Sequence, residues 1–303
     1  NYNTNRADLL IAIGMRFDDR VTGNPDGYAP DARIVHIDID DSEFGKNVHT
    51  EIAIHADAKE ALQSLIPLVN EARHANWLKS FEKAEAEELE KVIKPELESN
   101  GMITMGETAR KVSLAAGPDA VLVTDVGQNQ MMSSRYFMYH SPRSIITSGG
   151  LGTMGFGLPA AIGAKMAAPE RPILFFTGDG GLQMTIQEFG TIMEYGTAVK
   201  IILLNNNFLG NVRQWQVLFY KSRLSQTPLI NPDFNAIAAA YGIPAETVAE
   251  RSQLDAAIKR MLEHDGPYML NVSIDPSEMV FPMTPNGADV DFIMLNPTEK
   301  FNP

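Results

Sequence analysis

Two kinds of hydrophobic pattern alternate along this chain: short continuous apolar runs, and longer stretches in which apolar positions recur at helical spacing. Residues 9–14 (LLIAIG) and 33–39 (RIVHIDI) are short, rich in branched side chains and bounded by turn formers. Runs of that kind predict strands of a parallel sheet covered on both faces. The loop between them is rich in Asp, Gly and Pro. Residues 57–70 (DAKEALQSLIPLVN) predict a helix, with Asp57 placed to cap it. Residues 73–98 form the most charged stretch and predict a solvated helix between domains, its end punctuated by Pro95 and Gly101.

From about residue 103 the alternation becomes regular. Strand-like runs fall at 121–126, 172–177, 199–204 and 268–274, with helical patterns at 106–116, 155–167, 187–195, 233–241 and 253–264. Strands alternating with helices predict an α/β fold of doubly wound parallel sheets with helices on both faces. The expected division is residues 1–72 as half of one such domain, 73–102 as a charged helical linker, and 103–303 as a complete domain with a tail. Residues 280–303, with their Pro, Asn and Gly, fit an ordered lid or a loose tail equally. There is no internal repeat and no low-complexity segment. Asn1 in place of an initiator Met, with a strand almost at once, predicts a chain cut from something longer.

Composition narrows the function classes. The 303 residues carry a formal net charge of -13, which repels phosphate backbones and argues against nucleic-acid binding. There is no cysteine, so disulfides, thiolate metal sites and a Cys nucleophile are excluded, and a cytoplasmic location is the expectation. The apolar runs are too short to span a bilayer, and no signal peptide is visible.

The chemistry concentrates at two predicted strand ends. Strand 172–177 runs into Gly178-Asp179-Gly180-Gly181, and strand 199–204 runs into Asn205-Asn206-Asn207. Asp179 and Asn206 are 27 positions apart, room for one helix and one strand, which puts both at strand carboxyl ends, where ligands of such sheets bind. A carboxylate and an amide oxygen suit a hard divalent cation, Mg²⁺ or Ca²⁺, and Mg²⁺ readily shares its shell with phosphate oxygens. The glycines let backbone N–H groups approach a phosphate, and the following helix offers its N-terminus. Taken alone, GDGG is equally a glycine-rich turn with Asp179 as a helix N-cap, and NN a plain turn. Both together at this spacing resemble the signature of thiamine-diphosphate enzymes.

Three further segments narrow the resemblance: 147–159 (TSGGLGTMGFGLP), 203–220 (LLNNNFLGNVRQWQVLFY) and 16–23 (RFDDRVTG). Over nearly its whole length the chain resembles the acetolactate synthase large (catalytic) subunit, in its C-terminal portion. The fold implied is a partial central FAD-type domain followed by a complete thiamine-diphosphate-binding domain. The activity implied is decarboxylation of pyruvate and condensation of the hydroxyethyl unit with a second 2-keto acid, pyruvate or 2-ketobutyrate, in branched-chain amino acid biosynthesis. The cofactors implied are thiamine diphosphate, Mg²⁺ and a structural FAD. The partners implied are a second copy of the chain, as dimer or tetramer, and a small regulatory subunit.

Carried onto this sequence, the resemblance makes Asp179 and Asn206 side-chain ligands of Mg²⁺, with the backbone carbonyl of Phe208 as a third. Gly180 and Gly181 would meet the diphosphate through N–H groups, as would Gly127, Gln128 and Asn129 from another strand end. The family usually has His where this chain has Asn129, an amide that can donate a hydrogen bond but cannot titrate. Gly152 would accept a hydrogen bond from the aminopyrimidine, with Thr153 beside it, and Met154 would hold the cofactor bent; Met is also a common core filler. Trp215 would favour a larger second keto acid, with Val212 and Gln214 near the same channel; the plainer alternative is a helix with a half-buried aromatic. Gly14, Met15, Arg16, Phe17 and Asp18 would line the flavin nucleotide, with Asp38, Ile39, Asp57 and Ala58 near its adenosine end. The family's activating Glu lies in an N-terminal domain that no segment here resembles. Glu188 and Glu194 receive no catalytic role, and the chain alone is expected to be inactive. The competing expectations are another thiamine-diphosphate enzyme (pyruvate oxidase or glyoxylate carboligase), a non-catalytic cofactor-binding module, and, more weakly, an Mg²⁺-dependent phosphatase.

Overall fold

The apolar runs become parallel strands in the computed structural model, which describes residues 1–299. Contacts divide the chain into two units: Asn1–Ile93 together with the chain from Phe281, and Lys94–Val280.

The first unit holds a parallel three-stranded sheet in the order β1 (Leu9–Ile13), β2 (Arg33–Asp38), β3 (Ile52–His55). Ile11 pairs with Val35 and Ile37 with Ile54. β3 was not foreseen; it is four residues long and half-exposed, too short to carry a pattern. The one-turn α1 (Asp19–Thr22) follows β1, and α2 (Ala58–Leu65) follows β3. Asp57 caps α2 as expected, accepting from the N–H groups of Lys59 and Glu60. The helix is shorter than its pattern and ends in a 3₁₀ turn containing Pro67, which has no N–H to continue the ladder. Burial also departs from expectation. Ala12, Phe17, Tyr28, Ala29, Ile34 and Val290 form a small core, but Leu9, Ile11 and Ile13 lie exposed on the other face of β1. The continuous apolar run is that of a strand covered on both faces, and the described residues cover one.

The final described segment answers the lid-or-tail question in favour of order. Asn24 N–H donates to Ala288 O (2.9 Å), Gly23 bridges to Asp289, and Val290 joins the first unit's core. The end of the expected tail, from residue 300, lies outside the described residues. The charged stretch is helical but broken: α3 (Ala75–Glu88), a π-helical segment at Leu89–Ile93, then α4 (Lys94–Leu97). The wider turn sits just ahead of Pro95, whose ring cannot fit a regular helix interior.

The second unit is one parallel six-stranded sheet. Its strands are β4 (Val121–Thr124), β5 (Ile145–Ile146), β6 (Ile173–Gly178), β7 (Lys200–Asn205), β8 (Ala245–Val248) and β9 (Tyr268–Ser273), in the spatial order β5-β4-β6-β7-β9-β8. The four foreseen strands hold the centre. The unforeseen edges, β5 and β8, are too short or too polar to be seen in the pattern. The helices are α5 (Met105–Ala116), α6 (Gln128–Tyr136), α7 (Gly157–Ala167), α8 (Asp179–Met184), α9 (Phe189–Tyr195), α10 (Gly210–Phe219), α11 (Phe234–Ala240) and α12 (Arg251–Glu263). One face of the sheet packs Val123, Phe175, Ile201 and Leu203 against Leu158, Leu182, Phe189 and Phe234 from α7, α8, α9 and α11. The alternate strand residues Leu122, Phe176, Ile202 and Leu270 are equally buried, on the opposite face. The double winding read from the sequence is thus present.

Candidate functional site

β6 and β7 are neighbours, with Gly178 paired to Leu204. The residues that follow, Asp179 and Asn206, therefore emerge side by side at the carboxyl edge of the sheet. β4 lies on the other side of β6 and delivers Val126, Gly127, Gln128 and Asn129 to the same edge. A cleft opens there, lined by these residues, by Met105 and Met154, by Gly178–Gly181, and by Asn206 and Phe208–Val212. The topology has assembled the predicted diphosphate and metal positions at one place.

Helix direction gives the cleft its electrostatic character. α6 starts at Gln128, α8 at Asp179 and α10 at Gly210, so three helix N-termini bring their positive dipole ends to one cleft. That is an anion site of general type. Gly127 has φ +125°, which lets the chain turn from β4 into α6 without a side-chain penalty. A Cβ on Gly210 would collide with the Gln128 side chain, and one on Gly181 would stand 2.7 Å from Asp125 Oδ1. Asp179 is the first residue of α8, and its N-cap is Gly178, so the N-cap alternative for Asp179 does not hold.

Asp179 is 2% exposed. Burial pushes its carboxyl above the usual aspartate range, opposed by hydrogen bonds from the Asn231 side chain and Gly180 N–H. No cationic side chain lines the cleft among the described residues. A buried carboxylate, the Asn206 amide oxygen and the Phe208 carbonyl form an all-oxygen donor set suited to Mg²⁺. Asn206 is 4% exposed, and its Oδ1 accepts from Phe208 N–H (3.1 Å), which folds the chain after β7 into a tight turn. Asn129 donates to Val126 O, while its own buried Oδ1 has no partner. That oxygen only accepts and cannot meet a phosphate oxygen, so the fit to an anion rests on the helix N-termini. These residues fit a metal-bridged diphosphate.

Several contacts that hold the site together gave no signal in the sequence. Asp125 is 1% exposed and accepts from Val126 N–H (2.7 Å), Gly155 N–H (3.0 Å) and Gly157 N–H (3.1 Å). It pins the 152–157 loop, and hence Met154, against β4. Asn231 donates to Asp179 Oδ2 at 2.6 Å. Gln128 donates to Gln214 Oε1 (3.1 Å), and Gln214 exchanges hydrogen bonds with both backbone groups of Val280. Apart from Val126, each partner is distant in sequence, so no local spacing announces it.

Other predicted positions are placed differently. Gly152 (φ +60°) and Thr153 are exposed beside the cleft but do not line it. Trp215 is half-buried against Phe219, with ring centroids 5.0 Å apart, as the plainer alternative had it. Gln214 points into the buried amide network and Val212 to the cleft. In the first unit, Gly14 (φ +64°), Met15, Arg16 and Asp18 follow β1, Asp38 and Ile39 end β2, and Asp57 and Ala58 follow β3. All sit at strand carboxyl ends. Phe17 lines nothing: it is 3% exposed and packs edge-on against Tyr28 and His36, leaving only its backbone for a ligand. Glu188 lies in the 3₁₀ turn before α9, where it takes a hydrogen bond from Thr191, and Glu194 is in α9 itself.

The N-terminus of α5, whose first residue Met105 lines the cleft, is capped three times. Thr104 accepts from Glu107 N–H, Glu278 from Met105 N–H, and Glu96 from Gly106 N–H (2.8 Å). Burial, and then the neighbouring Glu96 charge, hold Glu278 well above the usual glutamate range. The folded state therefore keeps this proton to higher pH than the unfolded chain does. Ionised Glu278 destabilises the fold above its raised pKa, and the penalty disappears below about 4.5. Glu278→Gln stays neutral and can still accept from Met105. It should raise the thermal midpoint at pH 8 by about 2–4 °C, with the difference shrinking towards zero near pH 4.5. A melting series over pH checks this; a difference that does not change with pH would contradict it.

Comparison with known proteins agrees with this geometry. The family model for "Thiamine pyrophosphate enzyme, C-terminal TPP binding domain" matches residues 125–272, and that for "Thiamine pyrophosphate enzyme, central domain" matches residues 1–65. The chain is 44% identical to the acetolactate synthase large subunit of Lactococcus lactis, over 94% of this chain and 49% of that protein. It is 40% identical to the acetolactate synthase isozyme 2 large subunit of Escherichia coli, over 95% and 52%. It is 42% identical to the chloroplastic acetolactate synthase 1 of Nicotiana tabacum, over 95% and 45%. The chain spans about half the length of the curated relatives it matches.

Proposed function

The chain belongs to the thiamine pyrophosphate (thiamine diphosphate) enzyme family, and from that premise we propose that it is the cofactor-holding part of an acetolactate synthase. The observation that carries the proposal is the cleft where Asp179, Asn206 and Phe208 leave adjacent strand ends among three helix N-termini. Asp179, Asn206 and the Phe208 carbonyl hold Mg²⁺. The N–H groups of Gly180 and Gly181, with those at the start of α6, hold the diphosphate. Met154, fixed through the Asp125-clamped loop, would support the cofactor, with Gly152 and Thr153 beside it. When bound, the cofactor would supply carbon-nucleophile chemistry toward keto groups, while these residues would orient it and keep water away. The substrates are pyruvate and a second 2-keto acid. Val212, exposed on the cleft wall, is the residue best placed to meet the second one.

Asp179 is the one carboxylate among the described residues lining the cleft. The glutamate that activates the cofactor therefore comes from outside this set, which supports the proposal that the chain alone binds without turning over. FAD sits at the carboxyl ends of β1–β3 as a structural group. The protein works as a dimer or tetramer in the cytoplasm, with a small regulatory subunit as a further partner. No helix among the described residues is long and apolar enough to cross a membrane. The test is a product assay on the complete protein with pyruvate, Mg²⁺, thiamine diphosphate and FAD. Acetolactate is the expected product. Hydrogen peroxide from pyruvate, or tartronate semialdehyde from glyoxylate, would replace the proposal with a pyruvate oxidase or a glyoxylate carboligase. Cofactor binding without any product would leave a binding module.

A further inference from the structure

Asn231 lies outside both halves of the motif, 52 positions from Asp179. It sits in the segment after α10, where Leu209 N–H donates to Thr227 O and Leu229 N–H to Asn207 O, both at 2.8 Å. This short antiparallel ladder ties the segment to the metal loop. Pro232 follows Asn231 and biases its backbone towards extended conformations. The side chain then reaches across both halves of the motif. Its Nδ2 lies 2.6 Å from Asp179 Oδ2, 3.2 Å from Asn205 Oδ1 and 3.1 Å from Asn207 Oδ1. Its Oδ1 accepts from Gln183 Nε2 (3.1 Å), one turn along α8 from Asp179, which fixes which way the amide points.

We propose that Asn231 is a positioning residue for the metal carboxylate: its amide clasps Asp179 on α8 to the Asn205–Asn207 loop after β7, holding the ligands ready before the cation arrives. The inference rests on Asp179 being a metal ligand, as proposed above. The geometry favours this role over generic loop packing. The shortest of the three contacts is charge-assisted and goes to the carboxylate itself. The amide has two hydrogens for three acceptors: with one on Asp179, the other is left to the Asn205 or Asn207 oxygen, so it links the ends of both strands. Partners that orient ligating carboxylates characteristically change metal affinity by 10–100-fold when lost.

The experiment measures Mn²⁺ binding to the complete protein with saturating thiamine diphosphate, from the paramagnetic resonance signal of free Mn²⁺, alongside thermal melts without metal. Asn231→Leu keeps the volume and removes the donors, and should raise the Mn²⁺ dissociation constant about tenfold. Asn231→Ser retains one donor and should raise it about threefold; it also serves if the leucine variant fails to fold. The metal-free midpoint should stay within a few degrees of the parent for the serine variant. The inference is overturned if both variants bind Mn²⁺ within twofold of the parent while Asp179→Ala binds far more weakly. It is equally overturned if they melt early with unchanged affinity, since the role would then be structural only. If Asp179→Ala also binds as the parent does, the site assignment falls, and this inference with it.

Discussion

Asp179→Ala should weaken Mg²⁺-dependent binding of thiamine diphosphate by at least about 100-fold, equivalent to roughly 2.7 kcal/mol. The carboxylate is the only charged group among the described residues of the cleft, and a hard divalent cation has no substitute for it there. Asp179→Asn tests the same point with the volume kept. It should also lose binding, because a neutral oxygen cannot balance the cation. Burial holds the Asp179 carboxyl above the usual aspartate range, but both of its oxygens accept hydrogen bonds, from Gly180 N–H and from Asn231. The amide hydrogens of an asparagine would face one of these donors, so no gain in the metal-free midpoint is expected. Titration by protein fluorescence and melts with and without Mg²⁺ check both; an Asp179→Ala variant that binds like the parent removes the site assignment.

The second large effect is expected at Asp125, which touches no proposed ligand group. Asp125→Ala strands the N–H groups of Val126, Gly155 and Gly157 in a buried setting. Each unpaired buried donor costs about 1–3 kcal/mol. Allowing for partial relaxation, a loss of about 4 kcal/mol is expected, which lowers the midpoint by about 10 °C for a unit of this size. Cofactor binding should weaken as well, because the loop that carries Met154 loses its anchor. Asp125→Asn should be little better, since its amide hydrogens face the N–H donors that the carboxylate accepts. Calorimetry decides: an alanine variant melting within about 2 °C of the parent would show that the clamp contributes little.

These two residues mark how far the site was legible in advance. Asp179 was readable because a strand run ends in GDGG and a second run ends in NNN, a local pattern that survives without knowledge of the fold. Asp125 also ends a strand run, yet nothing in its neighbours says that Gly155 and Gly157 will lie against it. That contact depends on β4 and β6 being adjacent, with α7 starting over their ends. Asn231 is 52 positions from Asp179, and Glu278 is 173 from Met105. Hydrogen bonds act over about 3 Å, and no periodicity carries information across such separations.

Local physics settled the elements. Continuous apolar runs formed parallel strands because only a twice-covered strand buries such a run, helical spacing formed the covering layers, and Asp57 capped α2 where its side chain could reach free N–H groups. The metal motif and its place at the sheet's carboxyl edge followed from those same runs. Tertiary structure decided what each side chain faces. Phe17, expected at a ligand, went to the core because the turn after β1 swings it between Tyr28 and His36. Gln214 turned inward, where a buried amide can satisfy both backbone groups of Val280. The chain beyond Phe281 joined the first unit because Val290 found apolar partners there. Sequence pattern specifies secondary structure and polarity through interactions a few residues long; which distant groups meet is set by strand order, and in this protein strand order builds the clamp, the clasp and the shared cap around the site.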